Sequence, residues 1–114
     1  MPNARDFMPQ HFELQPRMEA DALVLPPRGD LDIATAPRLA AAIDELPAHV
    51  RKVVVDLRGV TFVDSSGLRG LLLVRRRTRE AGIELVVVHD PEVHGPIFRL
   101  TQLDEELPLV VADA

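Results

Sequence analysis

Short β-branched runs alternate along the chain with leucines and alanines at helical spacing, a pattern that predicts strands joined by crossover helices. His11-Phe12-Glu13-Leu14-Gln15 alternates polar and apolar positions, and Ala22-Leu23-Val24-Leu25 follows across a polar turn at 19–21, which predicts an N-terminal hairpin. Pro26 and Pro27 cannot donate to a ladder, so the second strand should end or run unpaired there. Gly29-Asp30-Leu31-Asp32 then reads as a loop. Thr35 is placed to cap a helix with Pro37 in its first turn, where a missing N–H costs little. Ala36, Leu39, Ala40, Ile43 and Leu46 share one face of that helix, which should stop at Pro47.

Val53-Val54-Val55-Asp56-Leu57, bounded by Arg58-Gly59, predicts a strand buried on both faces, and Glu84–His89 predicts a second one. Between them Leu68, Leu71 and Leu72 recur at helical spacing, with Asp64, Ser65 or Ser66 as N-cap and Gly82 as terminator. A further helix is expected to begin near Pro96, and Leu107–Val111 can close the chain as a last strand. The resulting order is ββαβαβαβ, an α/β fold with a mostly parallel sheet of about five strands flanked by helices. Right-handed crossovers bring the C-terminal ends of parallel strands to one edge, so the loops 29–35 and 58–64 should be neighbours. Asp30, Asp32 and Ser65 would then share a surface on the edge where open α/β sheets bind their ligands. The plain alternative for Asp30 and Asp32 is a turn-forming or capping role.

The length of 114 residues suits one domain with one core. Residues 1–10 mix Pro, Asn, Arg, Asp and Phe without the basic-then-apolar pattern of a secretion signal, and read as a flexible tail before a domain at 11–114. Hydrophobic residues make up 46%, which argues against disorder, and no apolar run is long enough for a membrane helix. A formal net charge of −5 argues against nonspecific nucleic-acid binding, whose affinity comes from Lys and Arg on phosphates, and turns attention to a protein partner. The absence of cysteine removes disulfides, zinc-thiolate sites and thiol nucleophiles, and fits a cytoplasmic setting. Lys52, the only lysine, stands at the start of its strand, which leaves neither a phosphate-loop lysine nor the lysine of a receiver-type phosphoacceptor pocket.

The junction Val63-Asp64-Ser65-Ser66-Gly67-Leu68 carries the candidate chemistry, because two hydroxyls sit where a strand feeds a helix. Backbone N–H groups and the positive end of the helix dipole would stabilise a phosphate there. The commonest use of serines in such a place is helix capping. Phe62 and Val63 are either exposed partner contacts or core plugs. Arg75-Arg76-Arg77 with Arg79 reads as a solvated helix end favoured by the dipole. His11, His49, His89 and His94 lack metal-ligand spacing and read as surface or strand-end residues. A serine hydrolase would need a G-x-S-x-G elbow, but Val63 stands where its first glycine belongs relative to Ser65, and no histidine falls in the loops expected at that edge. The chain therefore reads as a non-enzyme.

Gly29-Asp30-Leu31-Asp32-Ile33-Ala34-Thr35, the stretch from Val54 through Asp56-Leu57-Arg58-Gly59 to Asp64-Ser65-Ser66-Gly67-Leu68, and Leu100-Thr101-Gln102-Leu103-Asp104 together resemble the STAS domain of anti-sigma-factor antagonists, from about Phe12 onward. The resemblance implies a mixed sheet with an antiparallel N-terminal strand. It implies that Ser65 is phosphorylated by an anti-sigma factor with a histidine-kinase-like ATPase fold, itself a serine kinase, and that a serine phosphatase restores the free form. Unphosphorylated protein would hold the anti-sigma factor and free the sigma factor, through Asp30, Asp32, Asp64, Ser65, Ser66 and Gly67. No cofactor is implied. A phosphate near these carboxylates would act by local charge and bulk, with the fold kept. A second reading makes the chain a STAS subunit of a lipid-transport ATPase or a stress-signalling complex. Three features depart from the family's pattern: Pro26-Pro27 where a strand usually continues, Gly95-Pro96 near the third helix, and Gln102 where glycine is frequent, at a cost of about 1 kcal/mol if the backbone needs positive φ.

Overall fold

The computed structural model describes residues 12–112. The expected tail 1–10 and His11 lie outside them. The elements are β1 (Arg17–Glu19), β2 (Ala22–Leu25), β3 (Arg28–Leu31), α1 (Ala36–Asp44), β4 (Lys52–Asp56), β5 (Gly59–Val63), α2 (Ser65–Glu80), β6 (Glu84–His89), α3 (Gly95–Leu100) and β7 (Leu109–Val111), with a 3-10 turn at Leu103–Glu105. A five-stranded sheet runs in the order β1-β2-β4-β6-β7, with β1 antiparallel and the rest parallel, and β3 and β5 form a separate parallel pair.

The mixed, mostly parallel sheet is the one expected, but the element order gains two strands. Both segments read as loops from sequence, 29–32 and 58–64, are largely strand. Pro26 and Pro27 do end β2, as a residue without an N–H must. The chain then resumes as β3, while β4 turns at Leu57-Arg58 and resumes as β5. In effect two neighbouring parallel strands bend together away from the main sheet and stay paired. A register shift at Gly29/Asp30, where Gly29 has φ 105, sets Asp30 opposite Phe62 and Leu31 opposite Val63.

The hairpin is also shifted. Its first strand is Arg17–Glu19, closed by a two-residue turn at Ala20-Asp21, rather than 11–15. Phe12 and Leu14 alternate because they pack against the core, and among the described residues of this stretch only Glu13 makes a ladder-type bridge, to Arg28. Periodicity reported their burial, not their pairing.

Strands β4 and β6 are buried on one face, where burial on both was expected. Val53, Val55, Leu85 and Val87 are buried, whereas Val54, Val86 and Val88 are half-exposed. The topology explains this. The chain steps from β2 to β4 to β6 to β7 in one direction, and right-handed crossovers that always step one way put their helices on a single face. Leu23, Val53 and Leu85 form one registered row on that face, and Leu25, Val55 and Val87 the next. These rows join Leu39 and Ile43 of α1 and Leu71 and Val74 of α2 in one core cluster.

Helix α2 ends as its sequence predicts. Gly82, at φ 71, follows the cap residue Ala81, with Gly82 N–H donating to Arg79 O at 3.1 Å and Ile83 N–H to Thr78 O at 2.8 Å. His94 does not match its surface assignment. It is 2% exposed, Nε2 lies 2.8 Å from Val60 O, and Nδ1 accepts the Asp90 N–H at 3.1 Å. With Nδ1 as acceptor, Nε2 is the ring nitrogen that donates to Val60 O. The histidine thus ties the start of α3 to β5, the strand that leads into Ser65.

Candidate functional site

The site is assembled by backbone contacts between β3 and the start of α2. Asp64 N–H donates to Leu31 O at 3.3 Å, and the Asp64 carboxylate accepts the Gly67 N–H at 2.9 Å. A Cβ on Gly67 would stand 2.2 Å from the Leu31 carbonyl oxygen, so the first turn of α2 lies directly on the end of β3. Glycine is needed there because no side chain fits. The two loops expected to be neighbours are therefore in contact, and Asp30, Asp32, Asp64 and Ser65 meet at one edge.

Their duties differ. Asp64 caps α2, which resolves the choice among Asp64, Ser65 and Ser66. Asp32 holds the turn before α1: its Oδ1 accepts from Ala34 N–H at 2.9 Å and Thr35 N–H at 3.1 Å. Thr35 borders α1 without capping it. Its hydroxyl points back, donating to Asp30 O at 2.6 Å and accepting the Asp32 N–H at 2.9 Å. The expected Thr35 cap is replaced by an Asp32 turn: the Ala36 and Arg38 N–H groups donate to the Asp32 and Thr35 carbonyls, which leaves the Thr35 hydroxyl to turn back. Asp30 is half-buried, and its carboxylate has no hydrogen bond among the described residues. Gly67 is buried, so its part is packing and it presents no surface to a partner.

The serines are released from capping. Ser65 is exposed at the first position of α2, Ser66 is half-buried at the second, and neither hydroxyl has a hydrogen-bond partner among the described residues. No histidine bonds to either one there. Phe62 is 53% exposed and Val63 is buried, so the pair that read as contacts or plugs divides between the two roles. Ile33, 77% exposed, was missed by sequence reasoning. Its signal is an apolar residue inside an Asp-rich turn, off the period of α1. Ile33 and Phe62 thus add exposed apolar surface on the two segments, β3–α1 and β5–α2, that carry the carboxylates and Ser65.

Beyond this edge, among the described residues no helix is long and apolar enough to cross a membrane, and no group of His, Asp and Glu is arranged to hold a metal ion. Asp56, at the bend between β4 and β5, is gripped by Arg58, with Nε on Oδ1 at 2.9 Å and Nη2 on Oδ2 at 2.7 Å. This guanidinium holds the Asp56 carboxyl below its ordinary range, against the opposing effect of burial.

Comparison with known proteins follows this geometry. A family profile described as "Mlab, STAS domain" matches residues 14–111. Among solved structures, an anti-sigma factor antagonist from Mycobacterium paratuberculosis is 26% identical, with 90% of this chain and 87% of that one covered at a TM-score of 0.71. The Bacillus cell fate determinant SpoIIAA in its phosphorylated form is 18% identical over 90% and 92%, at 0.66. A sulfate transporter family protein from Wolinella succinogenes is 16% identical over 82% and 79%, at 0.68. A search of curated proteins finds no match. With the family profile spanning most of its length, the chain belongs to the STAS domain family, and its fold is shared with anti-sigma factor antagonists.

Proposed function

We propose that this protein is an anti-sigma factor antagonist that holds a kinase-type anti-sigma factor at the Ser65 edge and lets it go when Ser65 is phosphorylated. One observation carries the reading: Ser65 is exposed at the head of α2 while Asp64 performs the capping. A serine occupied as a cap would be a poor switch, since modifying it would disturb the helix. A free one can gain a phosphate with the fold intact. The phosphate adds about −1.5 to −2 charges at pH 7. It arrives on the edge that also carries Asp30, whose carboxylate is unengaged among the described residues, so a partner docked on this edge meets new negative charge and bulk. The helix N-terminus meanwhile stabilises the phosphate on the protein itself.

In this reading the partner is an ATPase of histidine-kinase-like fold acting as a serine kinase in the cytoplasm, a serine phosphatase reverses the modification, and the chain has no catalysis of its own. The Mycobacterium paratuberculosis relative supports the antagonist assignment. A second reading, a STAS subunit of a transport ATPase or stress-signalling complex, is kept because the matching family profile is described for Mlab and a sulfate transporter family protein shares the fold.

Baits of wild type, Ser65→Ala and Ser65→Glu, exposed to lysate and followed by mass spectrometry, test the proposal. A kinase-type ATPase held by the first two and lost with the third, with phosphate on Ser65 after incubation with ATP, is the expected result. Transporter or scaffold subunits held equally by all three baits would favour the second reading.

A further inference from the structure

A trough lies between α1 and α2 on the outer side of the helix layer, with a cavity of about 420 Å3. Ala36 lies against Gly70 and Asp44 pairs with Arg77, so the helices run parallel, with Ile33 and Ser66 at one end of the trough and Asp44 and Arg77 at the other. Its floor is apolar: Pro37, Ala40, Ala41, Gly70 and Leu73. Gly70 lets the helices close, since a Cβ there would stand 2.6 Å from that of Ala36. At about 1.5 Å per residue, the stretch of α1 from Ala36 to Asp44 makes the trough on the order of 12 Å long, about two helical turns.

Its charges do not cancel. Arg77 is paired with Asp44 and reaches Ala40 O, which closes the far end neutrally. Arg69 on the wall is exposed, and no carboxylate lies within 4.0 Å of it among the described residues. Locally, an apolar floor under one unpaired cation is complementary to an apolar segment carrying a negative charge.

We infer that this trough receives an acidic amphipathic helix of the anti-sigma partner, laid along α1 and α2 with apolar side chains on the Ala40–Leu73 floor and a carboxylate on Arg69. The inference rests on the proposed function and extends it from the switch to the anchor. A helix fits because the trough accepts apolar residues one and two turns apart, the spacing of helix-in-groove recognition. Continuity with the Ser65 end explains how a phosphate there can dislodge a helix seated alongside it.

The test measures binding of the purified kinase-type ATPase, recovered on the Ser65→Ala bait, to Arg69→Glu and Ala41→Glu, with Arg79→Glu as the same charge reversal on α2 outside the trough. Both substituted side chains are exposed, and circular dichroism checks that the variants fold. Each trough variant is expected to weaken binding about tenfold or more while Arg79→Glu stays within about twofold. Hydrogen exchange on the ATPase should show protection of a helix bearing an acidic residue. Unchanged affinity of both trough variants, or protection confined to loops or strands, overturns this inference and leaves the antagonist function standing. Failure of every bait to hold a kinase-type ATPase overturns both.

Discussion

Asp64 Oδ1 accepts the Gly67 N–H at 2.9 Å, so the helix that Ser65 begins is capped by the residue before it. This division of labour yields a direct prediction. Asp64→Ala should cost about 1 kcal/mol of stability, the worth of a lost cap. Ser65→Ala should change stability by less than about 0.5 kcal/mol, as for a surface position that holds nothing together. Urea unfolding of the two variants checks the contrast, and a Ser65→Ala loss equal to that of Asp64→Ala would return the serine to a structural role.

Two glycines at opposite ends of the same helix should respond very differently to alanine. At Gly67 the added Cβ meets backbone, the Leu31 carbonyl oxygen at 2.2 Å, and neither strand nor helix can yield without breaking the β3–α2 junction. Gly67→Ala should therefore cost on the order of 3 kcal/mol or more and displace the Ser65 edge. At Gly82 nothing lies within 4 Å, and only the φ of 71 resists a side chain. Gly82→Ala should cost about 1 kcal/mol and leave the edge in place. Thermal unfolding together with chemical shifts at Asp30 and Ser65 separates the two outcomes.

Gln102 holds φ 62 and ψ 17 between α3 and the following 3-10 turn. The family resemblance puts glycine frequently at this place, and the backbone there is left-handed as that preference requires. Gln102→Gly should relieve the strain and raise stability by about 0.5–1 kcal/mol, part of the gain being offset by the greater freedom of glycine in the unfolded chain. A higher urea midpoint with an unchanged slope is the expected sign.

Sequence carried the helices, the central parallel strands and the meeting of the two acidic segments, because each of these follows from period, punctuation and crossover handedness. It did not carry β3 and β5. Gly29-Asp30 and Arg58-Gly59 are turn-like in composition, and only the pairing of Arg28–Leu31 with Gly59–Val63, distant in the chain, makes these segments strands. Tertiary contact also decided His94, whose two ring nitrogens find backbone partners that no local pattern announces. At the site, the motif residues were all legible, yet their roles were not. Which of Asp64, Ser65 and Ser66 caps α2 depends on side-chain direction at the junction, and the exposure of Ile33 depends on how the Asp32 turn aims it.

The bend that carries β5 away from the sheet and toward Ser65 should weaken in acid. Asp56 and Arg58 form a two-pronged pair across that bend, and Arg58 N–H also donates to Asp56 Oδ1 at 3.1 Å. The carboxyl titrates below its ordinary value of 3.8, chiefly through its hydrogen bonds to the Arg58 side chain. A depressed folded-state pKa means that the folded chain releases this proton more readily than the unfolded one. The stabilisation is then fully present above the ordinary value and disappears as pH falls through the depressed one. Solvent at Arg58, whose side chain is 55% exposed, screens the pair to about 0.5–1 kcal/mol. Asp56→Asn should be less stable than wild type by that amount near pH 7, and the two unfolding curves should converge as pH falls below 3.8 and through the depressed value. A difference that persists unchanged into acid would mean that the charge pair does not hold the bend.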